Sequence, residues 1–263
     1  VEGKKIAEIL PAGGTYTGEE VYDMEGKTVL PGLFNCHEHL YFAKNKFDFL
    51  HSFTPYDHLS HSINFGQQLL SYGFTTVKDC GSINDTATHL RDLIKEGVVQ
   101  GPNILSSGPS YSPFFENQKL LDIYSSVDIE GHRTPVTNVD MIKAAVEERF
   151  AKGADFIKLC GSSAKKTIKK PEDALGQCLF SLEEVQAFVD NCARLGSYVT
   201  MHSTCAESHE IAIEAGVHTL DHGIYLSQEN VDKMKAKGVT NLVPTLAVSY
   251  VGFKEGWPTY DAC

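Results

Sequence analysis

The sequence lacks the features of membrane proteins and of disulfide-rich secreted proteins. No uninterrupted apolar run approaches the ~18 to 20 residues that a helix needs to cross a bilayer, and the opening VEGKKIAEIL has no signal-peptide layout. The seven cysteines are odd in number and scattered, without a C-x-x-C pair, which favours a reducing compartment over a disulfide framework. We therefore expect a cytoplasmic protein with no membrane partner.

Positive charge is also scarce in this chain. There are 23 Lys and Arg residues against 34 Asp and Glu residues, a formal net charge of −11. Because non-specific nucleic-acid affinity comes mainly from Lys and Arg neutralising phosphates, nucleic acid is not an expected partner. With 42% hydrophobic and 22% charged residues in a length of 263, the composition excludes a disordered or fibrous chain.

Two regions differ in their patterning. Residues 1–28 contain short apolar segments broken by Gly and Pro, which predicts a partial β-sandwich segment. Over residues 29–263, strand-like and helix-like runs alternate, which predicts a parallel sheet of the TIM-like (β/α)8 barrel type. The seven strand-like runs are TVLPGLF, GFTTVKD, PNILSSG, DFIKLC, SYVTMH, HTLDHG and TNLVPTL. The residues after the last run are too few for the next helix and an eighth strand.

Local signals mark several helix boundaries. Ser181 and Glu184 are spaced as a capping box at the start of one helix. Glycines are expected to end four helices, at Gly153, Gly196, Gly216 and Gly238.

His37 and His39 form an H-x-H pair in PGLFNCHEHL, directly after an apolar run. Residues i and i+2 of a strand point to the same side, so both imidazoles would face the barrel axis and could hold one metal ion. Eleven histidines make a chance H-x-H pair common, so polar packing at a strand end is the alternative.

His202 and His222 end the runs SYVTMH and HTLDHG, 20 residues apart. Since that separation equals one local strand–helix unit, adjacent strands would present both rings at the same height. Either histidine alone would be explained by structural packing. Beside the H-x-H pair, they predict four converging imidazoles.

Lys158 is the one charged side chain inside the apolar run FIKLC. Lysine is rarely buried without a partner, so an interior salt bridge or a snorkelling side chain would explain an isolated case. A deprotonated lysine can also add carbon dioxide to form a carbamate, whose oxygens could bridge two divalent cations. Next to four strand-end histidines, we favour the carbamate.

The motifs PGLFNCHEH, FTTVKDCGS, FIKLCGS, VTMHS and AGVHTLDHGIYL, between Val21 and Leu246, resemble the amidohydrolase superfamily. The resemblance is to the imidazolonepropionase-like branch, which includes Xaa-Pro and other Xaa-dipeptidases. It implies a (β/α)8 barrel with a small β-sandwich and a mononuclear or binuclear metal site. The matching motifs imply that His37 and His39 would bind the more buried ion and that His202 and His222 would bind the second ion. Lys158, as a carbamate, would bridge the two ions. Zinc suits such ligands.

The chain departs from the family pattern at its C-terminal end. The resemblance implies an eighth strand ending in an Asp that binds a metal ion and accepts the proton of the attacking water. No equivalent is present, and Asp261 in WPTYDAC lies too soon after the seventh strand to replace it. We therefore expect these residues to be part of a longer chain.

The predicted function is hydrolysis of an amide C–N bond in a dipeptide or N-acyl amino acid. Lys158 and Tyr225 are the catalytic candidates, and Tyr225 could donate a hydrogen bond to a substrate oxygen or be a packed aromatic. His132 and Arg133 in IEGHR are candidate substrate-binding residues or an ordinary polar loop. Asp79 at the end of the second strand could support a ligand histidine.

Two other functions remain open from the sequence. A deaminase or cyclic-amide hydrolase with a mononuclear site often lacks the bridging lysine, so Lys158 argues for the binuclear form. A non-catalytic truncated remnant is the second alternative, since an open barrel leaves unpaired edge strands that favour a homo-oligomer.

Overall fold

The computed structural model describes residues 1–3, 5–14, 18, 20–41, 54–113, 133–136, 138–163 and 176–254. The chain forms two compact units, Val1–Pro31 and Gly32–Cys263. Among its described residues, the first unit has an isolated antiparallel bridge between Glu2 and Lys5. The β-sandwich segment over residues 1–28 stays a prediction. Within these described ranges, no helix is both long and apolar enough to span a membrane.

The second unit is built on parallel strands, as the alternation of the sequence predicts. The strands are β1 Leu33–Glu38, β2 Phe74–Asp79, β3 Asn103–Ser106, β4 Ser110–Pro113, β5 Arg133–Val136, β6 Ile157–Cys160, β7 Ser162–Ser163, β8 Gln177–Cys178, β9 Val199–Ser203, β10 Thr219–His222 and β11 Asn241–Val243. They pair in the orders β1-β2-β3 and β11-β10-β9-β6-β4-β5, and β7 pairs antiparallel with β8. The α/β prediction is confirmed.

Helices follow most of these strands along the chain. They are α1 Pro55–Ser71, α2 Thr86–Lys95, α3 Val139–Ala151, α4 Leu182–Arg194, α5 Ala206–Glu214, α6 Gln228–Lys237 and α7 Leu246–Lys254. The predicted capping box is present, since Glu184 donates its N–H to Ser181 Oγ and Ser181 donates its N–H to the Glu184 carboxylate. Gly238 ends α6 in the left-handed conformation with φ 66°, which glycine adopts without steric cost.

The run TNLVPTL differs from its predicted structure. Strand β11 stops at Val243, because Pro244 has no N–H to donate to a ladder. Helix α7 begins at Leu246, the last residue of the predicted strand.

The third predicted strand is shorter than its run PNILSSG. Strand β3 ends at Ser106, two residues before the end of the run, and a separate strand β4 begins at Ser110. The Ser106 carbonyl accepts a hydrogen bond of 2.7 Å from the N–H of Asp155, just before β6. This hydrogen bond links the end of β3, in the sheet β1-β2-β3, to the start of β6, in the sheet β11-β10-β9-β6-β4-β5. In the described part of the chain, no ladder joins β1 to β11.

Two apolar clusters lie between the strands and the helices. The larger includes Ile157, Phe188, Met201 and Leu220, from β6, α4, β9 and β10. The smaller packs β2 and β3 against α1 and α2. Because helices cover the outer face of parallel strands, the carboxyl ends of those strands are left to form the functional face.

Candidate metal centre

Four histidines meet at the carboxyl ends of three strands. His37 lies in β1, His39 follows β1, His202 lies in β9 and His222 ends β10. The ring centroids of His37 and His39 are 5.2 Å apart, and those of His37 and His222 are 4.9 Å apart. The His222 and His202 centroids are 4.5 Å apart. The structure thus brings the four predicted imidazoles into one contiguous group.

Hydrogen bonds orient two of these rings. His39 Nδ1 donates to the carbonyl oxygen of Gly81 at 2.9 Å, which makes Nε2 the lone-pair nitrogen of the neutral ring. His222 Nδ1 lies 2.7 Å from Thr245 Oγ1, just beyond β11. Metal-binding histidines commonly use one ring nitrogen for the ion and the other for such a partner. Sequence reasoning did not identify Thr245.

Asp221 joins the histidines to the buried lysine. Its Oδ2 forms an ion pair with Lys158 Nζ and lies 3.1 Å from His37 Nδ1. Asp221 is fully buried and Lys158 is 3% exposed. Asp221, directly before the strand-end histidine His222, was not among the predicted site residues.

The pKa shifts describe an ion pair at neutral pH. Burial opposes ionisation of Asp221, but Lys158 and His37 hold the pKa of that carboxyl well below its usual range. Burial alone would lower the pKa of Lys158, but the Asp221 carboxylate raises it above the ordinary value. Since carbon dioxide adds to a neutral amine, formation of the predicted carbamate requires this pair to open.

In contrast to Lys158 and Asp221, which are charged, two of the imidazoles are held in their neutral form. Burial lowers the pKa of His37. Burial together with the neighbouring His202 and His37 holds the pKa of His222 well below its ordinary value. Both rings are therefore neutral near pH 7, the state in which imidazole binds a metal ion.

Unsatisfied buried atoms show that this donor set suits a cation. Ligand atoms of His37, Cys80 and Asp221 lie within 4.8 Å of one another. In the described part of the chain, His37 Nδ1 and Asp221 Oδ1 are buried without a hydrogen bond of good geometry. An orphaned buried polar atom costs about 1–3 kcal/mol, and a divalent ion would satisfy both atoms. Sequence reasoning did not identify Cys80 either.

Asp79 supports His39 through the backbone. Its carboxylate accepts a hydrogen bond from Leu40 N–H at 2.8 Å and one from Gly81 N–H at 3.3 Å. Leu40 follows His39, and Gly81 provides the carbonyl that accepts from the His39 ring. Burial raises the pKa of Asp79 to about 7. Asp79 thus fixes the position of His39 without touching its ring.

The structure describes the other predicted site residues to different extents. Tyr225 lies in the turn after β10, 56% exposed and with φ 59°. Arg133 opens β5, where its backbone pairs with Ser110 of β4. His132 and Asp261 lie outside the described residues.

A sequence model of the amidohydrolase family matches residues 28–250, which is most of the chain. The chain belongs to the amidohydrolase family. Members of this family generally use divalent metal ions, and this amidohydrolase contains a candidate site for one.

Curated relatives and a solved structure agree with this assignment. This amidohydrolase is 25% identical to ochratoxinase of Aspergillus niger, over 80% of this chain and 46% of the relative. It is 25% identical to imidazolonepropionase of Bdellovibrio bacteriovorus, over 85% of this chain and 54% of the relative. A Xaa-Pro dipeptidase whose crystal structure contains bound methionine is 27% identical in sequence to this chain. The two structures match with a TM-score of 0.70, over 88% of this chain and 57% of the dipeptidase chain. The chain therefore spans about half the length of the curated relatives it matches.

Proposed function

We propose that this amidohydrolase, in its complete form, hydrolyses an amide C–N bond in a dipeptide or N-acyl amino acid with a metal-activated water. The group of four contacting imidazoles beside the Lys158–Asp221 pair is the observation that carries this proposal. The similarity to a Xaa-Pro dipeptidase supports a dipeptide substrate.

The proposed ligands are those that the resemblance implies. His37 and His39 would hold one ion, His202 and His222 would hold the second, and Lys158 as a carbamate would supply anionic oxygen ligands. Zinc is the proposed metal, since imidazole and carboxylate-like oxygen suit it. When bound, such ions lower the pKa of a coordinated water toward neutrality and polarise the scissile carbonyl.

The residues of the chain have three tasks in this scheme. Asp221 would release Lys158 when the ammonium loses two protons to solvent and gains carbon dioxide to form the carbamate, and the Asp221 carboxylate would remain beside His37 Nδ1. Asp79 and Gly81 hold His39 in place, and Thr245 holds His222.

Substrate binding involves the rim of this face. The Tyr225 hydroxyl donates a hydrogen bond to the substrate carboxylate or carbonyl oxygen from the turn after β10. His132 and Arg133 are the other proposed substrate-binding residues; this part of the proposal comes from the resemblance, since Arg133 lies at the amino end of β5.

A cyclic-amide hydrolase or deaminase with a mononuclear site is the second candidate. The similarity to imidazolonepropionase and the pairing of Lys158 with Asp221 both favour it, because a paired ammonium is not a metal ligand. The two candidates differ in the role of Lys158. In a binuclear enzyme, Lys158→Ala would abolish hydrolysis and would lose one of the two bound ions. A mononuclear enzyme with the same change would keep its single ion.

Hydrolysis assays on chelator-treated and reconstituted protein test the proposal. The complete protein is reconstituted with zinc in bicarbonate and offered dipeptides, including Xaa-Pro, then N-acyl amino acids and cyclic amides. We expect turnover only after reconstitution. His202→Ala should lower kcat/KM at least about 100-fold. A loss of that size exceeds the typical effect of removing a residue that only hydrogen-bonds to a metal ligand. His89→Ala, on the exposed side of α2, is the matched control and should be unchanged.

Two results would contradict the proposal. Turnover that survives complete metal removal would exclude the metal-activated water. Metal binding without turnover of any of these substrates would instead favour the non-catalytic remnant.

A further inference from the structure

Cys80 is a buried thiol at the candidate metal centre that the proposed ligand set does not use. It follows β2 directly and is fully buried. Its N–H donates a hydrogen bond of 2.7 Å to the carbonyl of Glu38, the residue next to His37. This bond fixes Cys80 against the end of β1, so its position next to His37 is set by the sheet.

The spacing of three donor atoms is close to that of a zinc site. Ligand atoms of His37, Cys80 and Asp221 lie within 4.8 Å of one another. Zinc–ligand bonds of about 2.0–2.3 Å put donors about 3.3–3.8 Å apart in a tetrahedral site. The three donors are therefore within about 1.5 Å of that spacing.

The two anionic donors carry most of the charge that a divalent ion needs, without any carbamate. The Cys80 thiolate and the Asp221 carboxylate offset all but one of the positive charges on the ion and on the Lys158 ammonium, so the loaded site carries a net charge of +1. Asp221 Oδ2 remains with Lys158, while Asp221 Oδ1 is buried and lacks a hydrogen-bond partner in the described part of the chain. The carboxylate can thus bind the ion through one oxygen and keep the lysine through the other.

We propose that His37, Cys80 and Asp221 hold one divalent ion, with sulfur ligation, while Lys158 is still paired with Asp221. Binding breaks the S–H bond of Cys80 and releases one proton to the buffer. The first ion then binds without carbon dioxide, and only the second requires the carbamate. The inference rests on the proposed metal-dependent function and extends it to the order in which the site is loaded.

Cobalt titration in the absence of carbon dioxide tests this inference. Chelator-treated protein in bicarbonate-free, degassed buffer is titrated with Co²⁺ while the near-ultraviolet absorption is recorded. We expect about one equivalent to bind, with a thiolate-to-cobalt charge-transfer band. Cys80→Ser should lose the band and bind Co²⁺ at least about 100-fold more weakly, more than loss of an outer partner costs.

Cys160→Ser is the matched control. Cys160 is another strand-end thiol, and its Sγ contacts Ser110 Oγ at 3.4 Å, so it should keep the band. X-ray absorption of the zinc-loaded wild type provides a measurement that needs no variant. It should show a sulfur neighbour at about 2.3 Å.

The outcomes separate this inference from the proposed function. One bound equivalent without a sulfur signal, or binding only after bicarbonate is added, overturns the inference and leaves metal-dependent hydrolysis standing. Failure to bind metal with or without bicarbonate overturns both. A sulfur signal that persists in Cys80→Ser assigns the thiolate to another cysteine and also overturns the inference.

Discussion

Replacing Asp221 by Asn should destabilise the metal-free protein severely. Asp221 is fully buried and Lys158 is 3% exposed, so the change leaves an ammonium in the interior without its counter-charge. Breaking a buried ion pair by removing one partner costs about 3–5 kcal/mol. Since a domain has about 5–15 kcal/mol of unfolding free energy in total, this loss is a large fraction of it.

The pH dependence of this effect follows from the directions of the two pKa shifts. The raised pKa of Lys158 gives stability that is present below the ordinary lysine value of about 10.4 and is lost as pH rises through the folded value. The lowered pKa of Asp221 gives stability that is present above about 3.9 and is lost as pH falls through the folded value. In Asp221→Asn, burial alone acts on Lys158 and lowers its pKa, so the variant regains stability as pH rises from that lowered pKa toward about 10.4. The difference between wild type and Asp221→Asn should therefore be largest between about pH 4 and the lowered pKa of Lys158 in the variant, and shrink on both sides of that range.

Urea unfolding of chelator-treated protein, followed by circular dichroism at pH 7, measures this difference. The control is Glu214→Gln, which removes the exposed partner of Lys237 and should cost less than about 1 kcal/mol. A double change, Asp221→Asn with Lys158→Met, should recover most of the loss because it removes the unpaired charge. A loss below about 1 kcal/mol for Asp221→Asn alone would refute this account of the pair.

Three further predictions concern the residues around the metal centre. Thr245→Val removes the partner of His222 Nδ1 and should weaken metal binding about 10–100-fold in a competitive chelator titration; an unchanged affinity would contradict its orienting role. Because the pKa of Asp79 is raised to about 7, its protonated form contributes up to about 4 kcal/mol to the free energy of unfolding. This contribution is fully present below about pH 4 and is lost as pH rises to about 7. Asp79→Asn should flatten the slope of unfolding free energy over that range, and an unaltered slope would exclude Asp79 as its source. Tyr225→Phe should lower kcat/KM about 2–10-fold if its hydroxyl donates to the substrate, and an unchanged value would remove it from the mechanism.

The strand-end histidines could be located from the sequence because two simple periodicities coincide. The alternation within a strand puts His37 and His39 on one side, and the spacing of His202 and His222 matches one strand–helix unit. Parallel pairing then brings the strand ends to the same edge. There β9 pairs with β10, and Asp221 lies opposite His202.

Asp221 and Cys80 could not be assigned in the same way. Whether a lone acidic residue in a strand faces the interior depends on the register of the sheet, which is set here by the pairing of Thr219 with Thr200. His222, with φ 72°, leaves the extended conformation directly after Asp221, so strict alternation does not hold at the strand end. Cys80 lies beside His37 only because β1 and β2 are neighbours. These contacts are long-range, and local patterning does not encode them.

The metal content of the purified chain tests the central claim most directly. The protein is purified without chelator, with zinc and bicarbonate present, and metal per chain is measured by plasma mass spectrometry. We predict about two equivalents for wild type and for the exposed-histidine control His89→Ala, and fewer for His37→Ala and His202→Ala. Metal near zero in wild type, or content that does not change in the last two variants, would contradict a metal centre at these strand ends.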